Sequence, residues 1–253
     1  MRGSRGGIGV ALVLAATAAA GGCGDDAPLE RVRVLQVETA GFAARRGDVA
    51  ARAVAPVRAS LTSAEGSAAP PPVQVPNAGS IARGAPNGGT LVKGLQLPAS
   101  GPDWVTWDSV YERSPNRPER RWGTDRLLAM LIGVLRDYRL SNPDAPPVLV
   151  GDLSRPHGGP FGSDYGGLGH ASHQNGLDVD VIYPRADGAL LPPRTVKDVD
   201  RRLAQDLVSR FVAAGAQFAF VGLHVGLGGP REVVQAIAHH DDHVHVRIAN
   251  VRE

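Results

Sequence analysis

The placement of its eight histidines constrains this 253-residue chain more than any other feature. Four of them, His239, His240, His243 and His245, fall within the last fifteen residues, in the run His240-Asp241-Asp242-His243-Val244-His245-Val246-Arg247. Two more, His170 and His173, precede Asp180 in the run His170-Ala171-Ser172-His173-Gln174-Asn175-Gly176-Leu177-Asp178-Val179-Asp180. Neutral imidazole and carboxylate are the usual ligands of a catalytic zinc, which keeps one position open for water. The histidines are distributed as two halves of one metal site, so the fold has to bring two distant segments side by side.

Both segments read as strands. From Leu177 to Tyr183, period-2 alternation puts Asp178 and Asp180 on one face and Leu177, Val179 and Val181 on the other. From His243 to Ile248, His243, His245 and Arg247 face one way, and Val244, Val246 and Ile248 the other. An apolar face behind each polar one lets packing hold the side chains rigidly. His173, on the loop just before the first strand, joins Asp180 and His245 as three ligands for one zinc per chain, with water as the fourth. A zinc-bound water has a pKa of about 7. His243 shares a face with His245 and can reach that water without binding metal, as a general acid and base. Asp178, beside Asp180, is a supporting group. Singly these signals are weak: a His-x-His tail also chelates metal adventitiously, and paired acids on a strand are commonly just solvated. The joint pattern points to catalysis.

The remaining pattern suggests one domain. Leu91 to Leu97 alternates weakly. Thr124 reads as a helix N-cap ahead of Leu127, Leu128, Leu131, Val134 and Leu135, which recur at helical spacing. Val148 to Val150 reads as a short strand after Pro146-Pro147, followed by a turn-rich loop from Gly151 to Pro160. Thr195 to Ala214 reads as a helix burying Leu203, Leu207, Val208 and Phe211, and Phe218 to Val221 as a further strand. Strands separated by helices and loops predict an α+β fold, with a central, largely antiparallel sheet flanked by helices and long loops.

The N-terminus reads as an export segment. Arg2 and Arg5 flank a thirteen-residue apolar run, Ile8 to Ala20, which is short for a membrane span. Small residues then lead to Cys23, the chain's only cysteine, in the manner of a bacterial lipoprotein processing site, although Ala20 stands where Leu is usual. Residues 1–22 are expected to be a signal peptide, and Cys23 a lipidated mature N-terminus on the outer face of a membrane, in the periplasm or at the cytoplasmic membrane. Residues 23–76, rich in Ala, Pro, Arg and Ser with a short strand expected at Val32 to Val37, read as a tether, leaving 77–253 as the domain that carries the candidate zinc site. The pI near 9.0 misleads. Without Arg2 and Arg5, 25 basic residues face 25 acidic ones, so charge gives no support for nucleic-acid binding.

The local sequence sharpens the reading. Gly151-Asp152, Gly158-Gly159-x-Phe161, the His170 to Asp180 run and His240-x-x-His243-x-His245-Val246-Arg247 closely resemble the penicillin-insensitive murein endopeptidases, as does Asn87-Gly88-Gly89-Thr90-Leu91 through Pro98. The resemblance extends over about 80–253. It places the chain in a wider zinc group with lysostaphin-type and D-Ala-D-Ala metallopeptidases and the hedgehog zinc domain. It implies that His173, Asp180 and His245 are zinc ligands, that His243 is a catalytic histidine with His240 a further one, and that His170 supports the cleft edge. It also implies hydrolysis of peptidoglycan cross-links between D-alanine and meso-diaminopimelate, with no serine for β-lactams to acylate. The alternatives are a DD-carboxypeptidase or dipeptidase trimming stem peptides, and a non-catalytic zinc-containing cell-wall binding module. Two departures from the family stand out: the mature chain cannot form an internal disulfide, and the loop containing Ser163-Asp164-Tyr165 is long. His157 and His224 fall outside the ligand pattern, His157 in a glycine-rich loop that could line the cleft.

Overall fold

Alternating valines set the two central strands, and a computed structural model, which describes residues 72–162 and 169–250, shows what surrounds them. The export segment, Cys23, Val32 to Val37, most of the tether and Ser163-Asp164-Tyr165 lie outside the described residues.

Strands β1 (Ile81–Ala85) and β2 (Gly88–Val92) form an antiparallel hairpin. Strand β3 (Leu95–Gln96) pairs with β5 (Trp122–Gly123). The main sheet has six strands: β4 (Trp104–Thr106), β6 (Val148–Val150), β7 (Asp178–Ile182), β8 (Phe218–Gly222), β9 (Val234–Ile237) and β10 (His243–Arg247). Their spatial order is β4-β6-β7-β10-β8-β9. The three inner pairings are antiparallel, and the outer pairs β4–β6 and β8–β9 are parallel. The sheet is thus largely antiparallel within an α+β fold, as the patterning predicts.

Helix α1 (Asp125–Ser141) begins at Thr124, whose hydroxyl accepts the Leu127 N–H at 3.2 Å. Its Leu127, Leu128, Leu131, Leu135 and Tyr138 are fully buried. Helix α2 (Arg201–Ala213) contributes Leu203, Leu207, Val208 and Phe211 to the same core cluster, together with Val179, Val181, Val244 and Val246 of the sheet. The apolar strand face therefore meets the helices. Val73 and Val75 pack against this core too, so the packed region reaches back ahead of Asn77.

The second helix starts six residues later than the Thr195 expected from sequence. Asp198 Oδ2 accepts the N–H groups of Arg194 and Thr195, both at 3.0 Å, and closes a turn there. Asp200 is the true N-cap, accepting the Leu203 N–H at 3.0 Å. Two acids suited to capping stand two residues apart, and tertiary contacts choose between them: Asp200 N–H donates to Pro184 O.

The hairpin braces the loops that carry the site. Leu91 N–H donates to His157 O, Gly159 N–H to Gly89 O, and Gln174 N–H to Pro86 O. Gly158 is wedged between them at φ +68°, and a Cβ there would lie 2.1 Å from Gln174 O and 2.7 Å from Leu91 N. Both neighbours are backbone and cannot swing away. Gly158→Ala is expected to lower the melting temperature by roughly 2–8 °C from the left-handed conformation alone, and further through the clash. Thermal unfolding followed by circular dichroism measures it, and an unchanged midpoint would show that the loop is not wedged.

Candidate metal centre and its cleft

The pairing of β7 with β10 sets Asp180 opposite His245, and Asp178 opposite Arg247. Two halves of the site, far apart in the chain, thereby become cross-strand neighbours. His173 reaches them from the loop before β7, with its backbone in the left-handed region at φ 65°, a conformation that costs about 1–3 kcal/mol in a non-glycine residue. Its N–H donates to Asp178 Oδ2 at 3.2 Å, which fixes that turn.

Three atoms converge. Asp180 Oδ1 lies 3.3 Å from His173 Nε2 and 3.2 Å from His245 Nδ1. Both His173 Nε2 and Asp180 Oδ1 are buried with no hydrogen-bond partner among the described residues. The other nitrogens are committed elsewhere. His173 Nδ1 is 2.6 Å from Leu153 O, and His245 Nε2 is 2.8 Å from Asp178 Oδ1. If each makes its hydrogen bond as donor, the lone pairs of both rings face Asp180, an arrangement typical of metal-binding histidines. Atoms bound at 2.0–2.1 Å to one tetrahedral ion stand roughly 3.3 Å apart, which matches the distance of each nitrogen from Asp180 Oδ1. Two imidazoles and a carboxylate are donors of the kind a metal ion such as zinc takes.

His170 is closer to this centre than a cleft-edge role requires. Its ligand atom lies within 4.8 Å of those of His173 and Asp180, so among the described residues these three, without His245, are the group whose ligand atoms are all mutually close enough to hold a metal. Its Nε2 lies 2.8 Å from Asp152 Oδ2, while Nδ1 is 3.8 Å from Asp180 Oδ2.

Charge is balanced locally. Burial pushes the Asp180 carboxyl up, but the neighbouring His173, His243 and His245 outweigh it and hold it well below the usual carboxylate range. Burial lowers His173, so its neutral form is favoured. His245 is likewise desolvated, yet its hydrogen bond with Asp178 and the charges of Asp178 and Asp180 lift it to about 9 in the metal-free protein.

Two further histidines stand at the centre's edge. His243 Nε2 is 3.7 Å from Asp180 Oδ1, and Nδ1 is 2.7 Å from Asp242 Oδ1. His240 lies beside it, with ring centroids 4.7 Å apart and Nδ1 on Ala238 O. Burial lowers the pKa of His240. His157 is exposed and contributes only its carbonyl to β2. His224 is 70% exposed in its side chain and pairs with Asp241 at 2.7 Å.

Sequence reasoning missed two supports. Asp152 is buried and binds Arg120 through two hydrogen bonds, Asn116 at 2.9 Å and His170. Burial raises its carboxyl, but the His170 and Arg120 hydrogen bonds more than offset this, so Asp152 stays ionised to low pH. Its place in the Gly151-Asp152 motif was visible; its partner Arg120 carried no signal. Asp242 is the second, and its only sequence cue was that it immediately precedes His243.

The centre opens into a cleft of about 1430 Å³, lined by Asp180, His243, Trp107, Ile182 and the Arg185 to Asp198 segment among others. A cleft of that size accommodates an extended peptide.

The model of a family described as penicillin-insensitive murein endopeptidase matches residues 80–213. The chain is 37% identical over 112 residues to a penicillin-insensitive murein endopeptidase of Escherichia coli O157:H7, covering 44% of this chain and 36% of the relative. It is 36% identical over the same length to the protein of that name in Escherichia coli O17:K52:H18. The aligned stretch thus spans about a third of these relatives. The family match takes in His170, His173 and Asp180 and stops before β10, so the β7–β10 pairing supplies the tie to His240, His243 and His245.

Proposed function

The chain belongs to the penicillin-insensitive murein endopeptidase family, and from that premise we propose that it hydrolyses the peptide cross-links of peptidoglycan, at the D-alanyl to meso-diaminopimelyl bond, as a zinc-dependent peptidase. The observation that carries this reading is the convergence of His173 Nε2 and His245 Nδ1 on Asp180 Oδ1 within a peptide-sized cleft.

His173, Asp180 and His245 hold one zinc per chain, with His170 Nδ1 beside them. Asp178 fixes the His245 ring through Nε2 and also accepts Arg247 Nε at 2.6 Å. When bound, zinc polarises the scissile carbonyl and acidifies a water to near neutrality. His243 accepts the proton at Nε2 and delivers it to the leaving amine. His240 helps orient the water or stabilise the oxyanion.

Asp242 keeps His243 in the useful tautomer by accepting from Nδ1. Asp242→Ala should lower kcat about 10–100-fold, the usual cost of losing an orienting partner, with zinc content unchanged. Asp242→Asn retains the acceptor and should recover most of that loss. Equal activity in the parent and the alanine variant would remove Asp242 from this role.

We place the protein outside the cytoplasmic membrane, tethered through a lipid on Cys23. Fractionation of cells expressing Cys23→Ser tests this: the variant should leave the membrane fraction, and partitioning identical to the parent would defeat it.

The decisive experiment incubates the purified full chain with cross-linked muropeptide dimers, with and without chelator. Monomers should accumulate, chelation should stop the reaction, added zinc should restore it, and penicillin should have no effect. Release of terminal D-alanine from uncross-linked stems, with dimers untouched, would establish a carboxypeptidase instead. Inertness with zinc bound and the fold intact would establish a binding module.

A further inference from the structure

Arg120, Arg185 and Arg194 all line the cleft, and they are not equivalent. Arg120 is neutralised by Asp152. Arg185 meets Asp187 through both Nε, at 2.9 Å, and Nη2, at 2.5 Å. Arg194 is exposed, and its side chain makes no ion pair or hydrogen bond with any described residue.

The segment that presents Arg194 is fixed although it is neither helix nor strand. Ala186 N–H donates to Asp198 O at 2.8 Å, Arg185 Nη1 to Pro192 O at 3.4 Å, and Arg194 N–H to Asp198 Oδ2 at 3.0 Å. The adjoining Leu191 and Pro192 line the same cleft, Leu191 with 48% of its surface exposed. A free guanidinium beside an apolar ledge suits a peptide with small apolar side chains and a free carboxylate, which the planar fork can grip with two hydrogen bonds.

We propose that Arg194 is a substrate-binding residue, taking a free carboxylate of the stem peptide while the scissile bond lies at Asp180 and His243. The inference rests on the peptidase reading above, and it adds a requirement that the substrate be anionic at this point.

The test uses two synthetic cross-linked stem-peptide dimers, identical except that the carboxylates of one are amidated. Cleavage is measured for the full-length parent and Arg194→Gln. Binding of the same dimers is measured calorimetrically in the zinc-loaded His243→Ala background, with and without Arg194→Gln. For the free-carboxylate dimer, Arg194→Gln should raise KM and Kd about tenfold, the loss of a charge-assisted hydrogen bond at an open site, with little change in kcat. For the amidated dimer the substitution should change neither. Equal effects on the two dimers, or no effect on either, overturn the assignment.

Glu112 provides the control for a long-range field. It lines the same cleft from the loop after β4 and is also without an ion pair among the described residues. Glu112→Gln shifts the cleft's charge by one unit in the other direction and should leave the ratio of the two KM values nearly unchanged. A mirror-image change of the same size would show a diffuse field rather than a contact, and would overturn the proposal. If the parent cleaves neither dimer, the peptidase reading fails, and the calorimetric comparison still decides whether Arg194 binds the carboxylate.

Discussion

His243→Ala is expected to retain its metal and lose most turnover, by about 10²–10⁴ in kcat. His243 Nε2 faces Asp180 Oδ1 at 3.7 Å, beyond the 3.2–3.3 Å at which His173 and His245 approach that atom. Its removal leaves those converging donors in place and takes away the group proposed as proton acceptor. The ring is 19% exposed in its side chain and packs against His240, so truncation opens a modest gap at the cleft wall rather than in the core. KM should change little. His240→Ala should act in the same direction but more weakly, since its Nδ1 is bound to Ala238 O and its ring touches the base rather than the carboxylate. Zinc content by elemental analysis, paired with muropeptide turnover, separates the two roles. A zinc-replete His243→Ala protein with near-normal cleavage would remove this residue from the mechanism.

The parts of the fold that could be read from sequence are those in which a period is written in large apolar residues. Leu127 to Tyr138 forms a buried stripe along α1, and the alternating valines of β7 and β10 oppose two helices. The hairpin β1–β2 escaped because Ile81–Ala85 and Gly88–Val92 bury little, and their contribution runs through backbone hydrogen bonds to the site loops. Strand β9 escaped because it lies at the sheet edge, half exposed, and pairs in parallel with β8. Edge strands need no alternation, so they leave little trace.

The site divides in the same way. Strand periodicity predicts that Asp178 and Asp180 share a face, and that His243 and His245 share another. Which strand pairs with which, and in what register, depends on the whole sheet order, and only the structure sets His245 opposite Asp180. Asn116 and Arg120 lie in the segment between β4 and β5, Arg120 at the end of a 3-10 turn, whereas Asp152 follows β6, and no local pattern relates the two segments. Arg194 is similar: that it lacks an ion pair among the described residues, while Asp152 and Asp187 occupy the other two arginines, is visible only in the structure.

Loss of any one of His173, Asp180 or His245 should cost metal and activity together. Each replacement by alanine removes one of the three converging donors, so zinc affinity should fall by more than the 10–100-fold that loss of an orienting partner brings. Asp178→Ala supplies that smaller benchmark, since Asp178 holds the His245 ring from behind. The pH dependence has a defined sign. In the metal-free protein His245 is raised from 6.5 to about 9, so near neutrality it carries an extra proton that zinc must displace. Zinc affinity should therefore rise with pH, by about tenfold per unit if this proton alone is released, until it levels off near 9. The metal-free fold should respond oppositely. The stability contributed by protonated His245 is fully present below pH 6.5 and is lost as pH rises through about 9. Calorimetric zinc titrations in buffers of different ionisation enthalpy count the released protons, and melting of the chelated protein across the same range follows the other arm. Tight stoichiometric zinc in the His245→Ala protein would remove His245 from the ligand set and leave His170, His173 and Asp180 as the metal-binding group.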